Sequence, residues 1–279
     1  MLTEKSFDTG EIVMNFAEGE PTGKPLVLLH AATQSWQIWK WQTRHEFLPT
    51  LAKGWQVYLP DLRGHGQSGR TTSGYGYEDF LPDVTAFIER QVGEPVVLVG
   101  FSLSASIALG VGARRPDLVR AVILLEPALA SFRDADLNSF VDMREMFTWL
   151  SETQTSACSV EDVMARCREI FPDNVEGETV DTAQAVYNLD PQFIDSALNN
   201  QLFKDYRPEL FLPRLACPAL LVYGEARLGS VINDGDLELF RRNVPHGIAV
   251  HIYEAGHNVV GGETGRVTLK HVTQFLSSL

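Results

Sequence analysis

The chain has 279 residues, 44% hydrophobic and 21% charged, which supplies a buried core and excludes a disordered, collagen-like or coiled-coil chain. Its formal charge of −13, from 23 basic and 36 acidic residues, repels phosphate backbones and anionic lipid, so neither nucleic acid nor a membrane is an expected partner. No run approaches the ~18 consecutive apolar residues of a bilayer span.

The opening MLTEKSFDTGEIVMNF carries early acids and no apolar core, so it does not read as a secretion signal, and a cytoplasmic protein is expected. In chain order, residues 25–30 (PLVLLH) form a continuous apolar run, as a strand buried on both faces does. Residues 36–52 read as helical and 55–60 (WQVYLP) as a strand. From Tyr77 to Val92, Phe80, Leu81, Val84, Phe87 and Ile88 fall on one helical face. The strand 95–101 (PVVLVGF), a helix over 103–114 and the strand 121–126 (AVILLE) follow.

After Pro127 the alternation stops. Helix-like pieces at 137–150, 160–170, 182–188 and 191–202 make an insertion of roughly 90 residues, too long for a plain loop. Alternation resumes with the strand 218–224, a helix near 236–243, the strand 247–254 and a terminal helix from about Thr264. Strands alternating with helices predict an α/β fold with a mostly parallel sheet. The expected division is a core over 1–127, a helical insertion over 128–215 and the rest of the core over 216–279.

Cys158, Cys167 and Cys217 show no paired spacing, so neither a metal site nor a disulfide framework is expected, and no cofactor motif occurs. Chemistry concentrates instead at Gly100-Phe101-Ser102-Leu103-Ser104, where a buried strand meets a helix. A G-x-S-x-G string at such a junction is a nucleophile elbow, and Ser104 stands in for its second glycine. A serine hydroxyl needs a base to take its proton and a carboxylate to orient that base.

Three further blocks surround the elbow in order. His30-Ala31-Ala32-Thr33-Gln34-Ser35 and Asp61-Leu62-Arg63-Gly64-His65-Gly66-Gln67-Ser68-Gly69 precede it, and Gly256-His257 follows the last strand. Together these blocks resemble the α/β-hydrolase superfamily over essentially the whole chain. That resemblance implies an eight-stranded sheet flanked by helices, and it makes the insertion after strand six a cap. It also implies His257 as the base, with His30 and His65 bonded to backbone in structural turns. The backbone N–H groups of Ala32 and Leu103 would form the oxyanion hole.

The acid departs from the usual pattern. Relatives carry it in a G-x-x-D string after strand seven, where this chain has Gly224-Glu225-Ala226-Arg227. A guanidinium cannot accept the imidazole proton. Glu126 ends an apolar strand 24 residues after Ser102, where a carboxylate is costly unless it is bonded. This spacing resembles the haloalkane dehalogenases and zearalenone lactonases that serve their histidine from strand six. Asp234 and Asp236 are the fallback acids, and their plainer reading is helix capping.

Ser102 occupies the place of the aspartate nucleophile of dehalogenases and epoxide hydrolases, which favours acyl transfer to water over those reactions. The expected activity is hydrolysis of an apolar ester or lactone, including a bulky one such as zearalenone. Phe101, Trp36, Phe147 and Trp149 are the expected substrate-binding residues, with Trp39 and Trp41 as further aromatics. Rival readings are a carbon–carbon hydrolase, a cofactor-free ring-cleaving dioxygenase and a non-catalytic small-molecule receptor. A homodimer is left open.

Overall fold

The structure, a computed structural model, describes residues 2–72, 74–135, 140–157 and 159–279. Cys158 and the start of the expected helix at Leu137 lie outside the described residues. Eight strands form one sheet: β1 (Thr3–Asp8), β2 (Val13–Glu18), β3 (Lys24–Leu29), β4 (Trp55–Pro60), β5 (Val96–Phe101), β6 (Val119–Leu125), β7 (Ala219–Tyr223) and β8 (Ile248–His251). Their spatial order is β1-β2-β4-β3-β5-β6-β7-β8. Both pairings of β2 are antiparallel, and every pairing from β4–β3 to β7–β8 is parallel.

The helices are α1 (Ile38–Trp41), α2 (Phe47–Leu51), α3 (Tyr77–Ala86), α4 (Leu103–Arg114), α5 (Ala130–Asp134), α6 (Val141–Ser156), α7 (Val160–Ile170), α8 (Glu176–Asn188), α9 (Pro191–Leu198), α10 (Pro208–Phe211), α11 (Asp234–Asn243) and α12 (Gly262–Ser277). A π-helical stretch, Phe87–Val92, continues α3. Side chains of the central strands alternate between two cores, as the two-residue period of a strand requires. Leu26, Leu28, Val97, Val99, Ile123 and Leu125 pack with Trp39, Phe47, Val272 and Phe275 from α1, α2 and α12. Val27, Leu29, Leu98, Val122, Leu124 and Leu221 pack on the other face with α3, α4 and α11. Because both faces are covered, these strands read in the sequence as unbroken apolar runs.

Several elements differ from the sequence reading. The hairpin β1–β2 carries no strand expectation, because the edge strand TEKSFD is almost wholly exposed and lacks an apolar face. Residues 36–52 are two short helices and not one. Thr43, Arg44 and His45 take left-handed φ values of 53°, 49° and 70° between them. The Thr43 N–H and hydroxyl both donate to the Val260 carbonyl, at 3.0 Å each, a contact made across 217 residues of chain. In the insertion, α7 keeps its expected bounds and α8 begins earlier, at Glu176.

His30 and His65 anchor the loops after β3 and β4. The His30 Nδ1–H donates to the Ala31 carbonyl at 2.8 Å, while its Nε2 accepts the Leu62 N–H at 3.0 Å. The His65 Nδ1–H donates to the Arg63 carbonyl at 2.8 Å. Both rings are fully buried. Burial holds His30 down to about 3 and His65 down to about 4, from 6.5. The unfolded chain therefore binds more protons here, and these rings cost stability as pH falls from about 6.5 towards 4. Burial pushes the Asp61 carboxyl up to about 6, so this group works in the opposite direction over the same window. Urea denaturation across this window should find His65→Asn flattening the pH slope of stability by about one proton.

Candidate active site

A parallel sheet brings the carboxyl ends of its strands to one edge, and the candidate residues meet there. Ser102 follows β5 directly with φ 58° and ψ −120°, outside the regions that L-residues favour, between the strand and α4. Its N–H donates to the Leu125 carbonyl at 2.9 Å, which ties the turn to β6. Gly100 has no room for a side chain: a Cβ there would lie 2.2 Å from the Ser104 carbonyl oxygen. Ser104 supports the bend from below. Its hydroxyl accepts the Phe101 N–H at 2.9 Å and donates to the Leu29 carbonyl at 2.7 Å, which a glycine could not do.

Glu126 follows β6 with φ 50° and is fully buried. Its N–H donates to the Val222 carbonyl at 2.9 Å, extending the pairing with β7 past the strand end. Four donors meet its carboxylate. Oε1 accepts the Gly224 N–H at 2.7 Å and the Ser230 hydroxyl at 2.6 Å; Oε2 accepts the Val231 N–H at 3.0 Å and His257 Nδ1–H at 3.0 Å. Such donors stabilise the charged form of a buried carboxylate. On the other side of the ring, His257 Nε2 lies 2.9 Å from Ser102 Oγ. The Phe101 ring stacks on the imidazole with centroids 5.4 Å apart and planes at 30°. Serine, histidine and glutamate, 155 residues apart at the extremes, form one hydrogen-bonded line.

Arg227 occupies the place of the usual acid and pairs outward with Glu225 at 2.5 Å, with its side chain 68% exposed. Asp236 is committed elsewhere: it accepts from the Ser131 N–H and hydroxyl, and from the Asn233 N–H at 3.2 Å. The cap of α11 is Asn233, whose side chain accepts the Asp236 N–H, so Asp234 and Asp236 lie inside the helix. Neither bonds His257.

A cavity of about 1520 Å³ opens above Ser102 and His257. Ala31, Ala32 and Leu103 line it near the serine, and Phe101, Phe147 and Trp149 supply aromatic wall, as does Trp41. Trp36 does not line it. That indole is buried in the core under α1, and the Trp36 N–H donates to Asp61 Oδ1 at 2.7 Å. Trp39 stacks on Phe47 in the same core. An aromatic at helical spacing packs inward where the loop anchor turns it, and the spacing alone does not say which way.

The sequence reading misses the donors that surround Glu126. Ser230 and Val231 carry no motif, Gly224 stands out only as the start of the string that lacks its acid, and two of the three donate through backbone. Among the described residues no group of three His, Cys, Asp or Glu side chains is arranged to hold a metal ion. No described helix is long and apolar enough to cross a membrane.

The description of the alpha/beta hydrolase family matches residues 26–267, which include the elbow, Glu126 and His257. The chain belongs to that family. It is 34% identical over 111 residues to Lipase LipV of Mycobacterium tuberculosis, covering 39% of this chain and 40% of that protein. It is 28% identical over 216 residues to a haloalkane dehalogenase of Bradyrhizobium diazoefficiens, covering 74% of this chain and 63% of that protein. The solved structure of E-2-(acetamidomethylene)succinate hydrolase superposes with a TM-score of 0.76 at 20% identity, over 99% of this chain and 100% of that one. At that identity the likeness shows the fold. The chain spans less than half the length of the first curated relatives that it matches.

The closeness of strand and helix at the elbow predicts a cost for any side chain at position 100. Gly100→Ala should lower unfolding stability by about 2 kcal/mol, as overpacking does, read by urea denaturation against the parent chain.

Proposed function

We propose that this alpha/beta hydrolase family member is a serine hydrolase that cleaves a bulky, apolar ester or lactone. The observation that carries the reading is the unbroken line from Ser102 Oγ through His257 to Glu126. His257 Nε2 takes the Ser102 proton as Oγ attacks the carbonyl carbon. The imidazolium then gives that proton to the leaving alkoxide as the acyl–oxygen bond breaks. Water, deprotonated by the same nitrogen, releases the acyl group from Ser102 and restores the serine. Glu126 fixes the tautomer that leaves Nε2 free and balances the imidazolium charge.

The developing oxyanion needs N–H donors already in position. Leu103 is the first residue of α4, where an N–H has no partner within the helix. Ala32 borders the same cavity, so both amides suit the role. Helices between β6 and β7, in the segment 128–215, act as a cap over a core made of 1–127 and 216–279. Phe147, Trp149 and Phe171, from α6 and the residue after α7, contribute to the cavity wall. The cavity exceeds the ~300–1000 Å³ of ordinary small-molecule sites, which supports a large substrate body.

A fluorophosphonate probe should label Ser102 and abolish turnover of aryl esters and lactones, and Ser102→Ala should lose both labelling and turnover. Oxygen uptake with a heteroaromatic substrate in Ser102→Ala would instead support a cofactor-free dioxygenase run by the His257–Glu126 pair. Glu126→Gln should lower kcat about a thousandfold, because the amide cannot balance imidazolium and turns an N–H2 towards existing donors. Stopped-flow or steady-state rates on one aryl ester decide this. A near-normal rate would remove Glu126 from the mechanism.

A further inference from the structure

Strands β3 and β5 pair in register from Leu26 with Val97 to Leu29 with Gly100. At their carboxyl ends a side-chain hydroxyl joins them. The Phe101 N–H, which closes β5, donates to Ser104 Oγ at 2.9 Å. The one hydrogen of that hydroxyl has the Leu29 carbonyl, which closes β3, at 2.7 Å as its nearer acceptor and the Phe101 carbonyl at 3.1 Å as the other. Ser104 thus touches both strand ends from the first turn of α4.

Each strand end leads to one of the two amides assigned above to the oxyanion. Leu103 directly precedes Ser104, and Ala32 lies three residues beyond Leu29. Between Leu29 and Ala32 the buried His30 ring bonds the Ala31 carbonyl and the Leu62 N–H, so this short span has little freedom. Among the described residues neither the Ala32 nor the Leu103 N–H donates to a protein acceptor, and both residues line the cavity beside Ser102. Other ties hold one loop at a time: Asp61 holds the Trp36 N–H, and the Leu125 carbonyl holds the Ser102 N–H. Ser104 Oγ links the elbow to the end of β3. The residue is fully buried and does not border the cavity, so its influence on a substrate runs through backbone.

We infer, on the ester-cleavage reading, that Ser104 is a positioning residue whose hydroxyl sets the separation of the two oxyanion donors. The glycine of a G-x-S-x-G string leaves that separation to packing alone, whereas the serine fixes it with two hydrogen bonds. Donors act on a developing oxyanion only where they meet it, and a misplacement of ~1 Å can cost about a hundredfold in rate.

The test compares one aryl ester with its thiono analogue, in which sulfur, a weak acceptor, replaces the carbonyl oxygen. Ser104→Ala should lower kcat on the oxygen ester about tenfold while KM changes about twofold at most. The ratio of kcat/KM for the oxygen ester to that for the thiono ester should fall about fivefold, because sulfur draws little on the hole. Ser104→Gly should give the same fall, since it also removes the hydroxyl, and thermal melting reports that each variant is folded. A purely structural role would lower the active fraction for both esters equally and leave the ratio where it was. An unchanged ratio in either folded variant overturns the inference. Failure of the hydrolase reading shows instead in the native chain, as no turnover of either ester or as turnover that survives Ser102→Ala, and it takes the inference with it.

Discussion

A carboxylate at the end of a buried strand has to be met by protein where water would otherwise meet it, and Glu126 is met four times. Two backbone amides, one hydroxyl and one imidazole take its two oxygens. Leaving such a group bare would cost several kcal/mol, so the loop around it cannot be arranged independently of it. The turn after β7 and the loop after β8 are both drawn to one point at the end of β6. The orientation of His257, and through it the environment of Ser102 Oγ, follows from that convergence.

A carboxylate at the end of β6 gives the β7 loop a particular job. Arg227 turns outward to Glu225, and the loop supplies hydrogen-bond donors to Glu126 from Gly224, Ser230 and Val231. Gly224 makes this possible, because a side chain there would lie 2.3 Å from the Gly256 carbonyl oxygen in the loop that carries His257. The two loops touch backbone to backbone. Their closeness lets one carboxylate on a third strand reach donors from one loop and the imidazole from the other.

A second buried carboxylate, Asp61, also draws loops together. Asp61 accepts from the Trp36 N–H, the Gln67 N–H and the Asn15 side chain, joining the loops after β3 and β4 to the antiparallel strand β2. Its hold on Trp36 also decides that this indole packs into the core, leaving the cavity wall to Trp41, Phe147 and Trp149.

Continuous apolar runs made the central strands legible in the sequence, and the small residues around Ser102 made the elbow legible, since both are requirements of local geometry. The same holds for the exclusion of Arg227 as an acid, which is a matter of functional-group chemistry. By contrast, the exposed strand β1 has no burial pattern to read, and the break at Thr43–His45 is made by Val260, far away in the chain. Glu126 was readable as a carboxylate out of place, but its three partners besides His257 were not. Backbone N–H groups are the same at every residue except proline, so only the fold can decide which of them point at a given charge.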